Sequence, residues 1–187
     1  MYNAAILVLD VKTNQIRAYV ANTPTDMAHD KYVDLIQAKR SVGSLLKPFL
    51  HAFMLEEGQL LPKQLVQDIP TRINNYEPQN FDKTFRGMLS ANSYLQRSLN
   101  VPAVRLLQNY GLEKFHNRLK QLNINNFNRS ASYYGLSLIL GGGESSLWEM
   151  TSAYAGMARS LNLFNASGQY PAQAYQSPAF LNSEALF

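Results

Sequence analysis

The spacing of hydrophobic positions divides the chain into a short β part at its start and a longer helical part. The apolar run at 4–10 has the length of a buried strand, and residues Ile16–Val20 alternate apolar and polar side chains. Turn-forming residues at 12–15 separate these two segments. The pattern therefore predicts a β-hairpin at the start of the chain.

A period of three to four residues predicts helices in the rest of the chain. It is clearest at 44–57, where apolar side chains recur on one face and Gly58 ends the segment. Loops and turns are predicted at 21–39, between 58 and 82, and at the glycines 141–143. Further helices are predicted at 90–98, 102–110, 112–122 and, opened by a capping box at Ser146, 146–159. The predicted fold class is thus α+β, with a short sheet and a large helical part.

Composition narrows the function classes. The 187 residues are enough for one domain, and 46% of them are hydrophobic while 16% are charged, which disfavours a disordered chain. The net charge of +4 comes from scattered basic residues, so no nucleic-acid partner is expected. The absence of cysteine excludes disulfides and thiolate zinc sites. No apolar stretch reaches the roughly 18 residues of a membrane span, and no signal peptide is recognisable.

The first candidate for catalytic chemistry is the pair Ser44 and Lys47 at the start of the predicted helix. Residues three apart share a helix face, and a lysine that burial makes neutral can take the proton of a serine hydroxyl. The spacing alone carries little weight, because Ser-x-x-Lys pairs arise readily by chance. The neighbouring residues are stronger evidence, since Gly43 precedes the serine and Pro48 follows the lysine.

Residues 40–49, Arg-Ser-Val-Gly-Ser-Leu-Leu-Lys-Pro-Phe, resemble the active-site segment of the class A, bifunctional penicillin-binding proteins. Val42 and Leu45 stand where that family usually has proline and threonine, and neither position bears the proton chemistry. The resemblance implies that Ser44 is the acylated nucleophile and that Lys47 is its general base.

The family's second motif is Ser-x-Asn, and the chain has copies at 90–92, 98–100 and 160–162. The residues around the middle copy, 95–104, resemble the C subtype of the class A enzymes. The resemblance implies that Ser98 relays a proton to the leaving group and that Asn100 binds the donor peptide and the lysine. Serine and asparagine in the other two copies are interpreted as cap or turn residues.

The resemblance covers nearly the whole chain, but the family's third motif, Lys-Thr-Gly, is absent, since none of the 10 glycines follows a threonine. We therefore expect residues 1–187 to be a partial penicillin-binding transpeptidase domain of the penicillin-binding protein/serine β-lactamase-like fold, without the C-terminal sheet strands. The resemblance also implies a parent protein with a glycosyltransferase domain and a membrane anchor outside these residues.

The implied function is a peptidoglycan D,D-transpeptidase at the periplasmic face of the bacterial inner membrane, with stem peptides and β-lactams as its partners and no metal or organic cofactor. Two alternatives stay open at this point: a non-catalytic folded fragment or binding module, and a serine β-lactamase-like hydrolase. A Ser-His-Asp triad also stays open, although nothing marks one of His29, His51 and His116. His51, one turn after Lys47, is interpreted as a packing residue. The sequence leaves the oligomeric state undetermined.

Overall fold

A computed structural model describes residues 3–23 and 32–168 of the chain. His29 and part of the predicted loop at 21–39 lie outside the described residues. The elements along the chain are β1 (Ile6–Leu9), β2 (Ile16–Val20), β3 (Arg40–Ser41), α1 (Lys47–Glu56), β4 (Leu65–Asp68), β5 (Gly87–Ser90), α2 (Ala91–Gln96), α3 (Asn100–Tyr110), α4 (Leu112–Gln121), α5 (Ala131–Tyr134), a 3₁₀ helix (Gly135–Leu140), β6 (Glu144–Ser145) and α6 (Leu147–Ser167).

The described residues form two compact units. Within the described residues, one unit is drawn from 3–23, 32–40, Leu119–Asn128 and 144–168, and the other from Ser41–Arg118 and Arg129–Gly143. Every candidate site residue belongs to the second unit. The site can therefore be described within one compact unit.

The first unit contains the predicted hairpin. Strands β1 and β2 pair antiparallel, with Ile6 opposite Val20. The carboxylate of Asp10 accepts hydrogen bonds from the backbone N–H groups of Lys12 and Thr13, which fixes the turn between the strands. The hairpin is confirmed, and its first strand is shorter than the apolar run at 4–10.

Helix α6 packs on β1 in the same unit. The hydroxyl of Ser146 caps the helix by accepting the backbone N–H of Glu149 at 3.2 Å, which confirms half of the predicted capping box. The Glu149 carboxylate instead accepts backbone N–H groups of Asn125 and Asn126. The helix continues to Ser167, so the predicted end at 159 is wrong.

In the second unit, helix α1 begins at Lys47, so the predicted start at Ser44 is wrong. An α-helix would need the N–H of residue 48 to reach the Ser44 carbonyl, and Pro48 has none. The Ser44 carbonyl instead accepts the N–H of Lys47 at 3.1 Å. Ser44 therefore lies in a tight turn that leads into α1.

Strands β4 and β5 pair antiparallel, and the hydrophobic pattern did not predict this pairing. Burial alternates along β4, with Val66 and Asp68 inside and Leu65 and Gln67 outside. One of the two inward positions is a carboxylate, which breaks the apolar alternation that marks a strand. The prediction of turns alone between 58 and 82 is therefore wrong.

Helix α3 forms the middle of the second unit and packs against α1, β4 and the 3₁₀ helix. Its buried side chains include Val104 and Leu107, and those of α1 include Phe49 and Leu50. The predicted helices at 90–98, 102–110 and 112–122 correspond to α2, α3 and α4. The short α5 and the 3₁₀ helix were not predicted, because four to six residues are too few to establish a helical period.

Candidate active site

Lys47 is the centre of the candidate site. Its side chain is only 1% exposed. The Nζ atom donates to the backbone oxygen of Ser98 at 2.7 Å, to the Ser98 hydroxyl at 3.3 Å and to Oδ1 of Asn100 at 2.7 Å. The structure thus brings together the lysine of the first motif and both polar residues of the second, from positions 51 and 53 residues away.

The three acceptors around Lys47 are uncharged oxygens, so none of them compensates its charge as a carboxylate would. Burial lowers the pKa of Lys47 to about 8 from the usual 10.5. A lysine with this pKa is partly neutral near pH 8, and the neutral amine can accept a proton.

Ser98 owes its position to the way in which helix α2 ends. The N–H of Ser98 donates to the Leu95 carbonyl and the N–H of Leu99 donates to the Tyr94 carbonyl, which together form a Schellman motif. The position after such a helix end requires a positive φ, and Ser98 has φ +51°. The turn leaves the carbonyl and hydroxyl of Ser98 directed at Lys47.

Asn100 opens helix α3 and is held at both ends of its side-chain amide. Its Oδ1 accepts from Lys47, and its Nδ2 donates to the backbone oxygen of Gln79 at 2.9 Å. Its backbone N–H donates to Oδ1 of Asn80 at 2.9 Å. These contacts fix the orientation in which the Asn100 amide offers an oxygen to the lysine.

Behind Asn100 lies a buried polar pair, Asp68 at the end of β4 and Asn80 in the loop that follows. Nδ2 of Asn80 donates to Oδ1 of Asp68 at 2.7 Å, and Oδ2 of Asp68 accepts the backbone N–H of Arg86 at 3.0 Å. Sequence reasoning missed Asp68 as part of the site. The available signal was a carboxylate at an inward strand position, which calls for a partner.

Ser44 is half-buried and lies in the turn before α1. The glycine loop at 141–143 supports this turn: the Ser41 hydroxyl donates to the Gly141 carbonyl at 2.8 Å, and the Val42 N–H donates to the Gly143 carbonyl at 3.3 Å. The side chain of Lys47 is hydrogen-bonded directly to Ser98 and Asn100. Ser44 is connected to this group through the backbone turn that ends at Lys47.

The other Ser-x-Asn copies have different surroundings. Ser90 caps α2 by accepting the N–H of Ser93 at 3.2 Å, as predicted. The copy at 160–162 lies inside α6, so its interpretation as a cap or turn is wrong. The middle copy alone among the three supplies hydrogen bonds to Lys47 in the described residues.

The histidines in the described residues belong to packed aromatic pairs. The ring of His51 lies 5.7 Å from the ring of Tyr94, and the ring of His116 lies 5.9 Å from that of Tyr134. Burial lowers the pKa of His51. The packing interpretation of His51 is thus confirmed. Neither of these ring contacts involves Ser44.

Two further observations concern residues 3–23 and 32–168 alone. No helix there combines the length and the hydropathy that a bilayer crossing requires. No cluster of three or more histidine, aspartate and glutamate side chains there has the arrangement of a metal site.

A model of the penicillin-binding protein transpeptidase domain matches residues 4–161 of this chain. The chain belongs to that transpeptidase family. It is 38% identical over 156 residues to penicillin-binding protein 1C of Escherichia coli K12, and the match covers 83% of this chain. It is 33% identical over 159 residues to penicillin-binding protein 1A of Rickettsia felis. The predicted membership in the class A transpeptidases and the likeness to the C subtype are thereby confirmed.

The chain spans about a fifth of the length of these two relatives, 20% of the first and 19% of the second. Solved structures confirm the transpeptidase fold. Penicillin-binding protein 1A from Haemophilus influenzae has a TM-score of 0.70 at 25% identity, with 82% of this chain and 23% of that chain covered. PonA1 from Mycobacterium tuberculosis has a TM-score of 0.68 at 25% identity, with 82% and 42% covered.

Proposed function

We propose that this chain carries the acyl-transfer site of a peptidoglycan D,D-transpeptidase, with Ser44 as nucleophile and Lys47 as general base. Ser98 relays a proton to the leaving group, and Asn100 binds the donor peptide and orients the lysine. In this proposal residues 1–187 are part of one transpeptidase domain of a longer protein. Family membership supports the reaction class, and the hydrogen bonds of Lys47 support the assignment of residues.

The observation that carries the proposal is the environment of Lys47. A buried lysine amine surrounded by uncharged acceptors costs stability when it is charged, and structural lysines therefore rarely take such positions. The same burial brings the pKa to about 8, where proton transfer at neutral to alkaline pH becomes feasible. This environment supports a proton-transfer role for Lys47 over a packing role.

The proposed reaction proceeds in two acyl transfers. Neutral Lys47 takes the proton from the Ser44 hydroxyl while Oγ bonds to the penultimate D-Ala carbonyl carbon of a stem peptide. The peptide C–N bond then breaks, and Lys47 passes its proton through Ser98 to the departing D-Ala amine, so that the lysine is neutral again. The amine of a second stem then attacks the acyl-serine and gives up a proton to Lys47. The ester bond breaks, and Lys47 passes that proton to Ser44 Oγ. Every proton in this proposal thus moves between the substrate and Ser44, Lys47 and Ser98.

The proposed partners are stem peptides that end in D-Ala-D-Ala and β-lactams, which resemble that end. One structure with the same fold is PonA1 in complex with penicillin V, at 23% identity and a TM-score of 0.69. The proposed location is the periplasmic face of the bacterial inner membrane, where the stem peptides are cross-linked. A glycosyltransferase domain elsewhere in the parent protein is part of the same proposal.

The test is covalent labelling with a fluorescent penicillin, read by intact mass. We expect one adduct per chain on the wild type and none on Ser44→Ala. Ser132→Ala is the matched control, because Ser132 is an exposed serine of the same unit and should leave labelling unchanged. Labelling that persists in Ser44→Ala would contradict the assignment of the nucleophile.

A second candidate is a folded but non-catalytic fragment. The absence of Lys-Thr-Gly from the 187 residues favours it, because the family's third motif supplies part of the cleft. A folded wild-type chain that acquires no adduct would support this candidate.

A further inference from the structure

We propose that Asp68 and Asn80 form a buried relay that positions Asn100, and through it Lys47, for acyl transfer. The inference rests on the proposed function and assigns positioning roles to two residues outside both sequence motifs. Asp68 is 0% exposed and Asn80 is 3% exposed, so the pair belongs to the interior behind the site.

The amide of Asn80 uses both of its ends. Its Nδ2 donates to Oδ1 of Asp68 at 2.7 Å and to the Thr84 carbonyl at 2.8 Å. Its Oδ1 accepts the backbone N–H of Asn100 at 2.9 Å and that of Val101 at 3.2 Å. Since an amide has two donor protons and one acceptor oxygen, every group of this side chain is engaged.

Asp68 decides which way the Asn80 amide faces. A carboxylate offers acceptors only, so the side of Asn80 that meets it must be the NH₂ group. The other oxygen of Asp68 accepts the Arg86 N–H, and the Arg86 guanidinium lies 3.8 Å from it. The carboxylate is therefore anchored and partly compensated, and the Asn80 oxygen is directed at α3.

The start of α3 depends on that oxygen. The residue at the N-cap position, Leu99, has no side chain that can cap the helix. Asn80, from 20 residues away, accepts the first two N–H groups instead. One of these two N–H groups belongs to Asn100, whose side-chain oxygen accepts a hydrogen bond from Lys47. Displacing Asn80 thus moves the acceptor of the lysine.

The test measures the lysine directly, in the full 187-residue chain labelled with ¹³C at the ε carbon of lysine. The Lys47 signal is identified by its loss in Lys47→Arg, and its NMR titration midpoint is expected near pH 8 in the wild type. In Asn80→Ala the ammonium loses a firmly held acceptor, so the midpoint should fall by about one pH unit. The acylation rate should fall about 10- to 100-fold, because a misplaced catalytic group costs that much.

Two comparisons separate positioning from a general loss of structure. Asn92→Ala is the matched control, since Asn92 is exposed in α2 within another Ser-x-Asn copy, and its midpoint should equal that of the wild type. Asp68→Asn keeps the shape of the side chain but replaces one acceptor by a donor. It should shift the Lys47 midpoint in the same direction as Asn80→Ala.

The midpoint also distinguishes failure of the relay from failure of the proposed function. Absence of acylation in every chain would overturn the proposed function, whereas the titration of Lys47 would still report on the relay. An unchanged midpoint in folded Asn80→Ala and Asp68→Asn would overturn the relay. An equal shift in Asn92→Ala, or loss of folding in both relay variants, would assign the pair a structural role and would also overturn it.

Discussion

At the residue scale, two opposing influences set the charge of Lys47. Burial disfavours the ammonium form, while three hydrogen bonds from Nζ favour it. Burial prevails, and the pKa is lowered to about 8. At pH 7 roughly a tenth of the lysines would then be neutral, which suffices for a general base.

The pH dependence of acylation follows from that value. Below the pKa of Lys47 the neutral fraction grows about tenfold per pH unit, so the rate should rise from pH 6 and level off above pH 8. Stopped-flow measurement with a fluorescent penicillin checks this profile. Lys47→Arg is the control, because a guanidinium stays charged and should abolish the rise. A flat profile between pH 6 and 9 would contradict the role of Lys47.

Ser98 stores backbone strain at the same site, since φ is +51°. Ser98→Gly should raise the free energy of unfolding by about 1 kcal/mol relative to Ser98→Ala, because glycine adopts this conformation without strain. Both variants lose the hydroxyl, so the comparison isolates the backbone. Urea unfolding of the two variants measures the difference, and equal midpoints would count against strain at this residue.

At the element scale, the glycine loop at 141–143 holds the turn that carries Ser44. A Cβ at Gly141 would lie 2.6 Å from the Ser41 hydroxyl and 2.7 Å from the backbone nitrogen of Gly43. The loop and the turn therefore meet backbone to backbone, and no side chain fits between them. This close approach of two backbones explains why position 141 is a glycine.

Gly141→Ala should consequently destabilise the fold and slow acylation. Gly58→Ala is the matched control, because both glycines have a positive φ, +98° at Gly141 and +67° at Gly58, but Gly58 has open space around its Cβ position. We expect a loss of about 1 kcal/mol for Gly58→Ala and roughly 2–4 kcal/mol for Gly141→Ala, since overpacking adds to the backbone strain. Thermal unfolding compares them, and equal losses would refute the steric argument.

At the scale of the whole molecule, the described chain corresponds to a limited part of its relatives, about a fifth of penicillin-binding protein 1C of Escherichia coli. The two sequence motifs that the 187 residues contain meet within one compact unit. The third motif of the family is not among them. Under the proposed function, a segment with that motif would contribute to acylation, and this gives a prediction about chain length.

A longer chain of the parent protein that includes a Lys-Thr-Gly segment should acylate at least 10-fold faster than the 187 residues, because one further oxyanion donor is worth that much or more. The fluorescent penicillin assay compares both chains, each with its Ser44→Ala control. Absence of an adduct on the longer chain would contradict the transpeptidase proposal. Equal rates for both chains would show that the third motif is dispensable for acylation.

Local sequence patterns determined most of the elements and the identity of the motifs. Hydrophobic periodicity predicted the first hairpin and helices α1 to α4, and the flanks of Ser98 distinguished it from two similar copies. These features depend on neighbouring residues along the chain, through helix period, turn chemistry and capping. The hydrophobic period did not predict the start of α1 correctly, because Pro48 lacks the N–H that a helix beginning at Ser44 would need.

Only the tertiary structure determines the surroundings of Lys47 in the candidate site. Burial lowers the pKa of Lys47, and the acceptors of its hydrogen bonds come from about 50 positions away, which no local pattern specifies. Asp68 broke the strand pattern in the sequence, and only the fold supplied Asn80 as its partner. Solvation and hydrogen bonding between distant segments are set when the core closes. Ser44 and Lys47 could therefore be named from the sequence, while the relay behind Asn100 required the three-dimensional structure.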